Sequence, residues 1–401
     1  MGSLTELKSV ERSTNVDVLR AFAALGVLFG HAYILSGKYP AATLHHPLQF
    51  LVVQGGVGVW LFFALSGYLI AGPFVRALVT GDPLPGLKAY AYRRVGRIYP
   101  LYLLAFVVIA FWGLEPGIHP TWWQYPLHAA LLQNLVPGQE QALLFTAWTL
   151  SVEVIFYLAV PAVASVIRRL HKGPIRVRHF GLGIASLWLL SIMWTALADK
   201  LPSVEYSLWL RIVFPGVFAM FCPGILVSLA VTSWHAAGRP PRPLEWVMAH
   251  RAATLVGAAV LALSGAMLAT RHSLLIYDAG RMFFALASGL VVSIAVVSAE
   301  IPGRVGRILA ELGLISYGIY LWQGVIFGVL DRHPTWGIIP LHHAGTAAYV
   351  VHAMFLLALI IPVSWLSWTL IERPVLGWFK RRGGSLTVET KTEMLAGADS
   401  S

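Results

Sequence analysis

Val16-Asp17-Val18-Leu19-Arg20-Ala21-Phe22-Ala23-Ala24-Leu25-Gly26-Val27-Leu28-Phe29-Gly30-His31-Ala32-Tyr33-Ile34-Leu35-Ser36 is long enough to cross a bilayer and carries three ionisable side chains. Crossing about 30 Å of hydrocarbon at 1.5 Å per residue takes about 20 residues, so this run is longer than the apolar core of a signal peptide. It contains Asp17, Arg20 and His31 and no A-x-A-type cleavage site follows it, so it is expected to remain in the protein as a first span. On a helix the eleven steps from Arg20 to His31 return almost to the same angle, which puts Asp17, Arg20 and His31 in one stripe. Asp17 and Arg20 can pair at i,i+3, and His31 lies about 16 Å deeper, near mid-membrane.

Reading outward, similar apolar runs fall at about 54–75, 98–113, 146–167, 180–198, 207–232, 252–269, 282–299, 312–330 and 344–370. The whole chain agrees with them. Of its 401 residues 57% are hydrophobic and only 12% charged, about half the charge of a soluble domain, and the mean hydropathy is +0.71. These values exclude a disordered chain, a collagen-like fibre and an ordinary cytosolic enzyme. The expected fold class is an all-α polytopic membrane protein of about ten transmembrane helices.

A net charge of +11 in a soluble chain would suggest nucleic acid. Here 22 of the 29 Lys and Arg residues fall on one set of alternate loops, which by the positive-inside rule places both termini in the cytoplasm. Topology explains the charge, and no nucleic-acid partner is expected. The expected organisation is a cytoplasmic segment 1–15, a membrane domain 16–374 and a disordered cytoplasmic tail 375–401. The outer segment 114–145 has no Lys or Arg but carries Trp122 and Trp123, which suits an interfacial belt or a lid. Cys222 is the single cysteine, so neither an intrachain disulfide nor a Cys-based zinc site can form, and no metal site is expected. The pairs His45-His46 and His342-His343 read as solvated loop residues. No Walker loop, H-E-x-x-H or G-x-S-x-G elbow is present, and Ser66 in Phe62-Phe63-Ala64-Leu65-Ser66-Gly67 is not in such an elbow. Gly55, Gly56 and Gly58 suit close helix packing better than a dinucleotide loop.

Ionisable groups inside spans are costly, which makes them functional candidates. Arg94 and Arg97, in Tyr92-Arg93-Arg94-Val95-Gly96-Arg97-Ile98-Tyr99-Pro100 at the edge of the third run, present two guanidiniums on one face. Their forks match phosphate oxygens, while basic span ends also set topology. Glu153, in Trp148-Thr149-Leu150-Ser151-Val152-Glu153, is a lone carboxylate in an apolar helix that needs a polar cavity or a partner; His31 is the partner expected here. These residues suit either an enzyme with His31 as base or an exporter with Arg20, His31 and Glu153 as a proton relay. No inverted repeat supports the exporter.

In order, these blocks resemble the acyltransferase 3 family of integral membrane O-acyltransferases over about residues 15–374. Arg20 and His31 match its Arg-x10-His signature, Gly58 to Ile70 its second block, Arg94 to Pro100 its R-x-x-R segment, and Trp148 to Glu153 its W-[ST]-L-x-x-E. Ser316 to Leu321 and Ile371-Glu372-Arg373-Pro374 match its C-terminal pair. Two positions depart: Trp60 stands where an acidic residue is common, and Gln323 where a His often follows Tyr-Leu-Trp. The resemblance implies transfer of an acyl group, usually acetyl, from cytoplasmic acetyl-CoA or another acyl-CoA. The acceptor would be a hydroxyl of a cell-surface carbohydrate, a lipid-linked sugar or a secreted small molecule such as a macrolide. It also implies the stand-alone form without an SGNH-type domain, a bacterial plasma-membrane location, acyl-CoA as a substrate and no permanently bound cofactor. The expected roles are donor binding for Arg20, Arg94 and Arg97, general base or acyl carrier for His31, and orientation of the imidazole for Glu153.

Overall fold

The computed structural model describes residues 14–33, 55, 57–112, 120–140, 142–198, 200–201, 203–269, 274–333, 346–379 and 381. Among the described residues helix is the main regular structure, with no strand, and nine helices are long and apolar enough to cross a membrane. A pair of helices bent by 57° at one break makes a tenth if the two form a single span. The polytopic all-α fold read from the sequence is the fold observed. Residues His45, His46, His342 and His343 and most of the expected terminal segments lie outside the described residues.

The helices that frame the interior are α1 (Thr14–Tyr33), α2 (Val57–Thr80) and α3 (Leu87–Trp112). After a short α4 (Gln124–Ala129) come α5 (Trp148–Leu170) and α6 (Val177–Ala198). The run 207–232 is two helices, α7 (Val204–Ile212) and α8 (Phe214–Ala237), broken at an extended Val213 where Pro215 in the first turn of α8 lacks an N–H. A short α9 (Arg242–Ala249) leads to the hairpin of α10 (Arg251–Ala269) and α11 (Leu274–Val297). The bent pair is α12 (Gly303–Leu314) and α13 (Ser316–Arg332). The last helix, α14 (Thr346–Ser367), passes into a π-helical turn at Trp368–Glu372 and continues to Phe379.

Close packing sets this arrangement. Gly67 on α2 lies against the Phe221 carbonyl of α8, and Gly224 on α8 lies against the Ala64 carbonyl of α2; neither position has room for a Cβ. Gly55 and Gly58 abut the backbone of α1 at Gly26 and Ala23, the packing role expected of that glycine cluster. The N-terminal end of α1 is tied to the end of α11 by Asn15, whose side-chain amide donates to the carbonyls of Ala295, Ser298 and Ala299. Outward faces are apolar, as on α6 and α10 with Leu182, Leu189, Val256 and Val260 exposed, which suits contact with lipid tails.

Two expectations change. Helix α3 begins at Leu87, not near residue 98, so Arg93, Arg94 and Arg97 project from a continuous helix; hydropathy misses those turns because they are polar. Of the seven basic residues that do not fall on the basic loops, Arg211 and Arg281 lie not in outer loops but in helices, both 2% exposed, where both guanidiniums pair with Asp278 (2.8 and 3.1 Å). The segment carrying Trp122 and Trp123 is bonded to its surroundings. Tyr102 Oη donates to the His128 carbonyl (2.6 Å), Asn134 Nδ2 to the Trp148 carbonyl (2.8 Å), and Trp209 Nε1 to the Asn134 carbonyl (2.9 Å).

Candidate active site

A cavity of about 1490 Å³ enters the bundle from the face where α1 begins, which we term the basic face. It exceeds the 300–1,000 Å³ typical of small-ligand pockets, so it suits a long ligand. Arg20, Arg76, Arg93, Arg94 and Arg97 all border it.

Each inner arginine is held by its neighbours. Arg20 Nη1 pairs with Asp17 Oδ1 at 3.0 Å, the i,i+3 contact expected of the α1 stripe. Arg94 stacks on the rings of Tyr90 and Tyr157, with its guanidinium carbon 5.5 and 5.4 Å from their centroids. Arg97 lies over Tyr317 and Trp368 (5.6 and 5.8 Å) and faces Glu372, with Nη1 to Oε2 at 3.6 Å. Glu372 is 1% exposed and neither carboxylate oxygen has a hydrogen bond. The π-helical turn at Trp368–Glu372 inserts an extra residue per turn and presents both side chains to Arg97; such turns are frequent at functional sites.

Deeper in, the site falls into three layers one helical turn apart. In the first, Ser66 Oγ donates to Glu153 Oε1 at 2.7 Å, and both residues border the cavity. One turn further, at i−4 on α2 and α5, Phe62 packs edge-on against Tyr320 (5.9 Å) and Thr149 Oγ1 bonds Tyr320 Oη (2.7 Å). Tyr320 Oη also donates to the Thr146 carbonyl (2.9 Å). This layer lines the inner part of the cavity, which reaches Val59, almost a turn beyond Phe62 on α2. Beyond it stands His31, its ring edge-on to Phe145 and Phe327 (5.1 and 5.9 Å) and its Nδ1 3.3 Å from Gln323 Oε1.

Gln323 is fully buried and its Nε2 donates to the Tyr320 carbonyl (3.0 Å), so its amide oxygen faces His31. His31 Nδ1 therefore carries the proton and donates, which leaves the lone pair on Nε2. This corrects the expected pairing of Glu153 with His31. The register of α5 and α13 puts these two groups about 10 Å apart along the bundle, and a carboxylate cannot bridge two layers. Glu153 instead shares the arginine cavity with Arg20, Arg94 and Arg97. Sequence reasoning passed over Ser66 for lack of an elbow motif and noted Gln323 only as a departure. It quoted Glu372 without a role, although a lone carboxylate in an apolar run is the signal that selected Glu153. Trp60, the other departure, lies under the Arg281 guanidinium at 5.1 Å and away from this cavity.

Fold and site together define a multi-pass helical membrane protein with a basic chamber on one face and a half-buried histidine beyond an aromatic layer. The model of the acyltransferase domain of the acyltransferase 3 type matches residues 13–369, and the chain belongs to this family of membrane acyltransferases. Nodulation protein 10 of Rhizobium leguminosarum bv. viciae is 26% identical over 403 residues, covering 94% of this chain and 96% of that protein. Acyltransferase MdmB of Streptomyces mycarofaciens is 25% identical over 393 residues, covering 93% and 94%. The peptidoglycan O-acetyltransferase OatA of Listeria monocytogenes is 26% identical over 200 residues, 45% of this chain and 28% of that protein. No solved structure matches the chain.

Proposed function

We propose that this membrane O-acyltransferase takes an acyl group, acetyl by preference, from acyl-CoA at the cytoplasmic face. It passes the group to a hydroxyl of a cell-surface glycan, a lipid-linked sugar or a secreted small molecule such as a macrolide. The observation that carries the reading is the long cavity bordered by five arginines on the basic face. Arginine forks match the phosphates of a CoA nucleotide, and a cavity of this volume has room for its thioester arm. Arg94 and Arg97 hold phosphates, and Arg20 draws the arm inward. The positive-inside rule makes the basic face cytoplasmic, puts both termini there and suits a bacterial plasma membrane. The OatA name supports O-acetyl transfer to a glycan, and the MdmB name supports acyl transfer, as the class of reaction.

His31 acts on the acceptor. With Nδ1–H directed at Gln323, its Nε2 removes the hydroxyl proton as the oxygen attacks the acyl carbon, and the Gln323 carbonyl stabilises the imidazolium. The exporter reading needs a polar path past His31, and the Phe62–Tyr320–Thr149 layer weighs against it.

The test is purified protein in liposomes with labelled acetyl-CoA. Acceptor-dependent release of CoA supports transfer, whereas solute flux without CoA release supports export. A positioned base contributes about 10²- to 10⁴-fold, so His31→Ala should lose that much activity at an unchanged membrane level. Near-normal acylation by His31→Ala would remove it from the mechanism.

A further inference from the structure

We infer that Ser66 is a nucleophile that carries the acyl group between donor and acceptor, with Glu153 as its general base; this rests on the donor reading above. An activated nucleophile is recognised by a hydroxyl within hydrogen-bond reach of a base and a reactant that can approach both. Ser66 Oγ and Glu153 Oε1 are 2.7 Å apart, and both face the chamber that Arg20 also borders. His31, the group placed for the acceptor, does not border that chamber, and the contacting side chains of Phe62, Tyr320 and Thr149 stand in its inner part. Direct transfer would require the whole thioester arm to pass this layer. Ser66 is one turn, about 6 Å, from Phe62, so an ester there stands against the layer with the CoA moiety already gone. Only the two rings then have to part for an acceptor hydroxyl to reach it.

The step balances. Ser66 Oγ attacks the thioester carbonyl, its proton passes to Glu153, the C–S bond breaks and CoA leaves as a thiolate that takes a proton from solvent on its own face. Arg20, which borders the same chamber, is the cation offered to the oxyanion. In the second half the layer opens, the acceptor oxygen attacks the Ser66 ester from the His31 side, and its proton passes through one water to His31 Nε2, which later releases it to solvent. Glu153 returns its proton to the departing Ser66 oxygen.

The experiment uses full-length protein in nanodiscs with radiolabelled acetyl-CoA and no acceptor, in two arms: equilibrium binding of acetyl-CoA, and acid quench followed by peptide mass spectrometry. The expected result is binding together with one acetyl group on the peptide containing Ser66, released by hydroxylamine and absent in Ser66→Ala. Because Ser66→Ala also leaves Glu153 without its hydrogen bond, Ser66→Cys is run beside it and should keep the label as a thioester. Binding without acetyl on residue 66 overturns the relay and leaves the donor site standing. A wild type that does not bind acetyl-CoA overturns the donor reading itself.

Discussion

Arg97→Ala and Glu372→Gln remove opposite ends of one ion pair, and the structure requires their costs to differ. At 3.6 Å and an effective dielectric near 20, the charges attract by about 4–5 kcal/mol before desolvation is counted. Without Arg97, the Glu372 carboxylate is left 1% exposed with neither oxygen hydrogen-bonded. Breaking a buried pair in this way costs about 3–5 kcal/mol. Without the carboxylate, Arg97 keeps its contacts with Tyr317 and Trp368, and its side chain is 24% exposed, so water reaches it. That loss should be about 1 kcal/mol. Arg97→Ala should therefore destabilise the protein about three times as much as Glu372→Gln. The double variant should recover much of the Arg97→Ala loss, because no charge is then stranded. Thermal unfolding in detergent followed by tryptophan fluorescence measures this, with the KM for acetyl-CoA as a second readout. If Glu372 acts by aiming Arg97, Glu372→Gln raises that KM in the wild type but not in the Arg97→Ala background. Equal single losses that add in the double would refute both the pairing and the positioning role.

Arg94→Ala should raise the KM for acetyl-CoA about tenfold, the value of a charge-assisted hydrogen bond; an unchanged KM with less protein in the membrane would mean that Arg94 only sets topology. Gly224→Ala forces a methyl group against the Ala64 carbonyl and should cost about 1–3 kcal/mol in thermal unfolding. A fully stable variant would show that α2 and α8 can separate freely. Burial pushes His128 down to about 4, below the usual imidazole value near 6.5, so the fold favours its neutral form. The stability it lends is complete above about pH 6.5 and is lost as the pH falls towards 4. Protection factors across residues 124–135, corrected for the pH dependence of intrinsic amide exchange, should fall at pH 4.5 relative to pH 7 and lose this dependence in His128→Gln; acid-insensitive protection would contradict the assignment.

Much of the fold was legible because lipid imposes one strong rule, that a crossing helix is long and apolar. Helices α5, α6 and α10 lie within a few residues of the runs read from the sequence. The misreadings share a cause: hydropathy measures what lipid tolerates, and polar groups facing the protein interior escape it. Helix α3 continues outward through Arg94, the span of α11 includes Asp278 and Arg281, and Glu372 sits where the last span seemed to have ended. The stripe on α1 was visible because Asp17 and Arg20 are neighbours on one helix. The partners of His31 and Glu153 were not, since they lie on α13 and α2, and no spacing within one helix specifies which residues of two others stand level with it.

The Phe62–Tyr320–Thr149 layer has a consequence for the cell. A chamber open on one side of a membrane and a titratable base reached from the other would together conduct protons if water joined them. Every turnover would then drain the gradient that powers the cell. Side chains that part only as far as a hydroxyl group needs would let acyl transfer cross the bilayer while the membrane stays electrically sealed.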